Sequence, residues 1–224
     1  FWVLKLDSSG NVLWQKTYGG SGYDIANSIQ ETLDGGFIVA GETSSFGTGN
    51  ADFWVLKLDS SGNVLWQKTY GGINDDIAPS IQETLDGGFI VAGETSSFGA
   101  GNADFWVLKL NSSGDVIWQK TYGGSNNDRI HSIQTTSDGG FIVAGETSSS
   151  GAGNADFWVL KLDGNGNIGS GCSVIGTSSA TVSSTGITAV DSSGTVNNTN
   201  ATVTQTSVTP QDSTALIAPQ CSSP

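Results

Sequence analysis

The string FWVLKL begins at Phe1, Phe53, Phe105 and Phe157, each 52 residues after the last. Units therefore run 1–52, 53–104 and 105–156, and the opening strand of a fourth unit covers 157–163. Units one and two differ at five positions: Ser21/Ile73, Gly22/Asn74, Tyr23/Asp75, Asn27/Pro79 and Thr48/Ala100. Unit three departs from unit one at twelve. Such a chain has no single private core. Each unit must form the same supersecondary element and bury its faces against its own copies, as solenoids, propellers and arrays do.

The element is β. FWVLKLD is aromatic and β-branched and fits no helical stripe. Asp7-Ser8-Ser9-Gly10-Asn11 is a tight turn in which Asp caps and Gly supplies positive φ. NVLWQKTY, Ile25–Thr32 and GFIVAGET follow as strands, with Leu33-Asp34-Gly35-Gly36 as a second hairpin turn. Four strands per unit and no helix signal define an all-β repeat. FWVLKL and FIVAG are apolar on both faces, the pattern of a sheet covered on each side. A β-propeller blade is such a sheet, with a neighbour on each flank.

Phase follows from the loops. Ile25–Thr32 is the inner strand of a blade, Gly36–Thr43 the second, Phe53–Asp59 the third and Asn63–Tyr70 the outermost. On that phasing residues 1–163 hold 13 strands: an outer pair, two full blades and three strands of another. Propellers close with four to eight blades. The expectation is an incomplete array, either a C-terminal piece of a longer propeller or a chain completed by other chains. Gly19-Gly20, Gly71-Gly72 and Gly123-Gly124 follow the Trp strand and would permit close approach or a sharp exit.

KLDSSGNVLWQKTYGG with DGGFIVAGETSS resembles the bacterial and archaeal β-propeller repeats of secreted and cell-surface proteins. The Asp-x-x-Gly…Trp turn is also similar to the tryptophan-docking repeat of quinoprotein-type propellers, one residue shorter, and the Gly-Gly before an apolar strand is similar to kelch repeats. The resemblance covers residues 1–163. It implies an architecture and an exterior location more than an activity. The adjacent Cys pair common in quinone-dependent relatives is absent.

Residues 164–224 are different material. They contain no Lys, Arg, Trp, Tyr or Phe, and Thr181, Thr188, Thr195, Thr202 and Thr209 share a period of seven. The expectation is a β-rich or extended appendage. Cys172 and Cys221 bracket it and suggest one disulfide, the alternative being two unpaired thiols.

Composition narrows function. Acidic residues number 21 against 8 basic ones, a net charge of −13. That argues against nucleic acid, which needs a basic footprint, and against anionic lipid. No apolar run reaches the length of a membrane-spanning helix. His131 is the lone histidine, so neither a Ser-His-Asp set nor a His-rich metal site is indicated. Calcium is the best small-ligand candidate. Asp163-Gly-Asn-Gly-Asn opens like an oxygen-ligand loop, and Asp52, Asp104 and Asp156 recur beside Asn residues. The plainer reading is a hairpin turn at Asp163 and a strand-capping Asp at each of the others.

Successive turns of an antiparallel meander fall on opposite rims. The tight turns share one rim; loops Gly19–Asp24 and Ser44–Asp52 share the other, and four of the five differences between units one and two lie there. Phe46 and Phe98 are expected to project from that rim as contact residues. The candidate binding residues are Tyr23, Asp24, Phe46, Asp75, Asp76, Phe98, Asn127 and Asp128. The expected role is a non-catalytic extracellular or cell-surface scaffold that binds protein or glycan. One alternative is a self-assembling subunit whose incomplete blades pair between chains. The other is a carbohydrate-active enzyme using rim carboxylates.

Overall fold

The computed structural model describes residues 1–151, 153–168, 175–177, 181–184 and 190–191. All its regular structure is strand. In chain order β1 (Trp2–Leu6) and β2 (Val12–Thr17) pair with each other. β3 (Asp24–Glu31), β4 (Phe37–Thr43), β5 (Asp52–Leu58) and β6 (Val64–Gly71) form one antiparallel meander. β7 (Asp76–Glu83), β8 (Phe89–Thr95), β9 (Asp104–Leu110) and β10 (Val116–Tyr122) form the next. β11 (Asp128–Thr135), β12 (Phe141–Thr147) and β13 (Asp156–Leu162) form a third. The sheet boundaries match the phasing read from the loops: each meander begins after the Gly-Gly pair, out of step with the FWVLKL repeat.

The segment after Gly164 adds to the sheets. β14 (Ile175–Thr177) lies antiparallel on β10, β15 (Thr181–Ser184) on β6, and β16 (Val190–Asp191) on β2. The two complete meanders thus become five-stranded, where the repeat alone predicts four. The chain visits the outer edges in reverse order, covering donors and acceptors that would otherwise stand open. The Cys172–Cys221 pairing lies outside the described residues.

Two-faced burial is the organising fact. Along β5, Phe53 and Val55 join one core with Ile81, Phe89 and Trp106 of the following sheet. The alternate residues Trp54, Leu56 and Leu58 join another core with Val3 and Tyr18 of the preceding pair. β9 repeats the division, sending Trp106 and Leu108 one way and Phe105 and Val107 the other. Period-two alternation is present, but both phases are apolar because both flanks are covered.

Each contact between sheets recurs at the unit spacing. Phe53 lies 4.7 Å from Trp106, and Phe105 lies 4.7 Å from Trp158, ring centre to ring centre. The Tyr18, Tyr70 and Tyr122 hydroxyls donate to the Gly62, Gly114 and Gly166 carbonyls at 2.6, 2.6 and 2.7 Å. The Trp14, Trp66 and Trp118 indoles donate to Ser60, Ser112 and Gly164 carbonyls at 3.0, 3.1 and 3.3 Å. The outer strand of each sheet is thereby stapled to the tight turn of the next. Gly62 at φ +75° makes that turn, and the Cβ it lacks would fall 3.0 Å from the Trp14 ring.

Inner strands have one free edge, and the preceding sheet covers part of it. Ile81 and Glu83 amides of β7 donate to Ser28 Oγ and Gln30 Oε1 at 3.4 and 2.8 Å. Ile133 and Thr135 of β11 do the same to Ser80 and Gln82 at 3.2 and 3.0 Å. Register shifts in β3, β7 and β11 fall around Asn27, Pro79 and His131. Outside the ladder a missing N–H costs no strand bond, which explains why Pro79 and His131 are tolerated at one position.

Candidate functional site

The long-loop rim is a continuous belt. Within a sheet, the Ser44 amide donates to the Tyr23 carbonyl at 2.7 Å, and the Gly22 amide to Ser45 Oγ at 2.8 Å. Between sheets, Ala51 pairs with Asp75 in a short parallel bridge, and Thr48 Oγ1 donates to the Gly72 carbonyl at 3.2 Å. Ala103 pairs with Asn127 in the same way. The loops singled out by their sequence differences are therefore neighbours in space.

Their side chains divide into two groups. Tyr23 is 83% exposed, Asp75 is exposed and Asn127 is half-buried. These remain available to a partner. Phe46 and Phe98 are not the projecting aromatics expected: both are half-buried, Phe46 tilted on Trp54 at 5.6 Å and Phe98 on Trp106 at 5.3 Å. They close the tops of the inter-sheet cores. The loops curl back because Ser45 and Ser97 are tied down, which linear sequence does not reveal.

Asp24, Asp76 and Asp128 are clamps. Asp76 is fully buried and accepts from Thr95 Oγ1, from the Gly72 amide at 2.8 Å and from Ser97 Oγ at 2.8 Å. Asp128 is also fully buried, accepting from the Gly124 amide and Ser149 Oγ at 2.8 and 2.7 Å. Half-buried Asp24 repeats the set with Thr43, Gly20 and Ser45. Both oxygens of Asp24 and Asp76 are spent on holding the two loops together, and Asp128 Oδ2 does the same while its Oδ1 is buried without a donor.

Asp52 and Asp104 sit beneath the belt at the start of β5 and β9. Asp52 Oδ2 accepts from the Thr48 amide at 2.7 Å; Asp104 Oδ2 accepts from Ala100 and Gly101 amides at 2.8 and 3.1 Å. Each therefore caps its strand. The other oxygen of each is buried without a hydrogen-bond donor. The Cβ that Gly71 lacks would lie 1.6 Å from Asp52 Oδ1 and 2.9 Å from Asp76 Oδ2. Gly123 stands between Asp104 and Asp128 in the same way, at 1.9 and 2.7 Å. Two carboxylates thus meet across a glycine at each junction, and any side chain there would drive them apart. Burial pushes the Asp52 carboxyl up to about 7, against the opposing Thr48 amide and with the Asp76 charge adding to it. Asp104 is raised for the same reasons.

The cation expectation finds turn chemistry instead. Asp163 Oδ1 accepts from Asn165 and Asn167 amides at 2.9 and 2.8 Å, and Oδ2 from Asn167 Nδ2 at 3.1 Å. That is the same cap as Asp7 with Ser9 and Asn11. Asp156 begins β13 with Gly151 against its carboxylate, as Gly47 lies against Asp52. Among the described residues, no three Asp, Glu, His or Cys side chains converge to hold a metal ion.

Sequence reading passed over two features. Ile73, 78% exposed, stands on the rim beside Asp75, and its mismatch with Ser21 was a visible signal. Glu42, Glu94 and Glu146 recur in the invariant GET string, so no difference between units marked them. Arg129 Nε lies 3.1 Å from Glu94, and Arg129 also reaches Glu146. Burial raises Glu94, opposed by Arg129 and His131. Burial likewise raises Glu42, with Asp75 and Glu94 adding to it.

The class these observations define is an all-β repeat protein of stacked antiparallel sheets. No protein-family model matches the chain. It is similar to the protein named regulatory protein FlaEY of Caulobacter vibrioides, 26% identical over 170 residues, which covers 66% of this chain. The chain spans only 17% of that relative's length. Among the described residues, no helix is long and apolar enough to cross a membrane.

Proposed function

We propose that this chain is part of a β-propeller-type scaffold outside the cell, with a non-catalytic recognition surface on its long-loop rim. Three observations support the propeller reading. β7 lies alongside β3 and faces β4, and β11 takes the same place against β7 and β8, so the sheets converge at their inner strands. Each sheet is covered on both flanks where a neighbour exists. Each outer-strand Trp docks on the next turn, as the tryptophan-docking resemblance implies. The Ser/Thr-rich end with its two Cys favours an oxidising exterior. The relative carries a regulatory name rather than an enzymatic one.

One observation carries the recognition reading. The cores are nearly invariant between units, while the rim residues Tyr23 and Asp75, exposed, and Asn127, half-buried, at one position of the unit, all differ. A glycan array and a panel of surface proteins, probed with the wild type and with a Tyr23→Ala, Ile73→Ala, Asn127→Ala triple variant, test it. Loss of a bound partner in the variant supports the rim. Unchanged binding contradicts it, and release of reducing ends from a polysaccharide would favour the enzyme instead.

Self-assembly is favoured by a separate observation. Phe157 is 81% exposed while Phe53 and Phe105 are fully buried; Trp2 is 49% exposed while Trp54 and Trp106 are fully buried. Phe157 of one copy on Trp2 of another would reproduce the Phe53–Trp106 contact head to tail. Sedimentation equilibrium should show concentration-dependent association that Phe157→Asp abolishes. A monomer at 100 μM, as an order-of-magnitude ceiling for a specific weak interface, contradicts this reading.

A further inference from the structure

The tight-turn rim, opposite the belt, repeats between sheets with one exception. Where the β3–β6 sheet meets the β7–β10 sheet, the Glu83 side chain reaches back across the groove. Its Oε2 accepts a hydrogen bond of 2.8 Å from the Leu33 amide. The groove is thereby occupied by a carboxylate from the chain itself. Lys57 lies below it, bonded to Thr32 Oγ1, Asp34 Oδ1 and the Leu58 carbonyl at 3.0, 2.9 and 3.3 Å.

One unit later the same groove is vacant. Thr135 stands in the place of Glu83, Ser137 in the place of Leu85, and Gly164 in the place of Ser112. All three substitutions shorten the side chain, and all three residues line a cavity of about 420 Å³. Thr84, Asp86, Lys109, Thr136 and Phe141 complete its working surface. The size lies in the range of small-molecule sites. Lys109 repeats the Lys57 arrangement, bonded to Thr84 Oγ1, Asp86 Oδ1 and the Leu110 carbonyl at 3.0, 3.0 and 3.2 Å. Among the described residues, no carboxylate reaches the Leu85 amide as Glu83 reaches that of Leu33.

We infer that this vacated groove binds a carboxylate carried by another molecule, with the Leu85 amide as donor and the Thr135 and Ser137 hydroxyls beside it; the Thr84 and Thr136 hydroxyls already donate to Asp86 and Asp138 and form the wall. The chain itself supplies the template: the filled groove shows which group fits this frame, and Thr135 in place of Glu83 removes that group from the open one, while Ser137 and Gly164 shorten two further lining residues. A carboxylate accepts a backbone N–H strongly because its charge assists the bond. Lys109 is buried and pairs with the exposed Asp86; the pair is neutral overall, and Asp86 is held by Lys109 and Thr84, so it does not compete for the Leu85 donor. The template is a glutamate side chain, so the occupant is an acidic side chain of a peptide rather than a uronic acid of a polysaccharide. The inference is independent of the long-loop rim, since the two surfaces lie at opposite ends of the strands.

The test uses ¹⁵N-labelled full chain titrated with sodium glucuronate, with N-acetylglutamate amide and with neutral methyl glucoside, followed at the Leu85 amide. Saturable shifts at Leu85 are expected with the two carboxylates, tighter with N-acetylglutamate amide, and not with methyl glucoside; tighter binding of glucuronate would overturn the peptide source. Thr135→Glu restores the internal carboxylate and should weaken binding about tenfold or more, the effect of losing one charge-assisted hydrogen bond. Glu83→Thr should create a second saturable response at Leu33 while leaving that at Leu85 unchanged. No saturable shift at Leu85, an equal response to methyl glucoside, or identical affinity in Thr135→Glu would overturn the inference. The amide dispersion of each variant reports its folding in the same spectra.

Discussion

The hexapeptide FWVLKL occurs four times, yet its residues live in two environments. In β5 and β9 every residue is buried, whereas in β1 and β13 the same letters alternate between covered and open positions. Identical sequence cannot cause different burial. The neighbour causes it: β5 and β9 have a sheet on each flank, while β1 and β13 stand in the outermost sheets of the stack. Stability in such an array is the sum of weak units and strong interfaces.

That contrast can be broken most forcefully at the indole. Trp106 packs against Phe53 and Phe98, and Trp106→Ala should cost about 3–5 kcal/mol. Trp2→Ala, at the half-open equivalent, should cost roughly 1 kcal/mol. Urea denaturation of both variants checks this, and equal losses would show that position in the stack does not matter.

The junction carboxylates sharpen the comparison through pH. Asp52 is raised in the folded chain, to about 7. Its protonated form therefore contributes stability fully present below the ordinary carboxylate range and lost as pH rises through about 7. The slope from one group reaches at most about 1.4 kcal/mol per pH unit. Asp52→Asn should flatten that part of the profile, measured as urea midpoints from pH 4 to 9. Parallel profiles for variant and wild type would show that Asp52 titrates normally.

Smaller effects follow. Tyr70→Phe removes the staple to the Gly114 carbonyl and should cost about 1 kcal/mol, read from thermal unfolding. Tyr23→Ala, on the open rim, should change stability by less than about 0.5 kcal/mol in the same experiment. A larger loss at Tyr23 would place it among the packing residues with Phe46.

Much of the fold was legible because repetition multiplies each signal. The Asp7 and Leu33 turns, the four strands and the phase of the sheets all follow from local patterns written three times. The rim was legible as a place but not residue by residue. Asp76 and Phe98 carry the side chains of a binding surface, and only the bonds from Thr95 and Ser97 and the underlying Trp106 turn them inward. The pairing of β14, β15 and β16 left no trace, since two to four residues of backbone pairing impose no side-chain pattern. The vacated groove was readable only as a difference: Thr135 means nothing until Glu83 is seen bonded to Leu33.

Hydrogen exchange of the four FWVLKL copies, resolved by residue, separates burial imposed by neighbouring sheets from burial set by sequence, because their intrinsic rates are nearly the same. Val55, Leu56, Val107 and Leu108 amides should exchange only through global unfolding, while those of Leu4 and Val159 should exchange faster by about tenfold or more. Uniform protection across all four strands would contradict this.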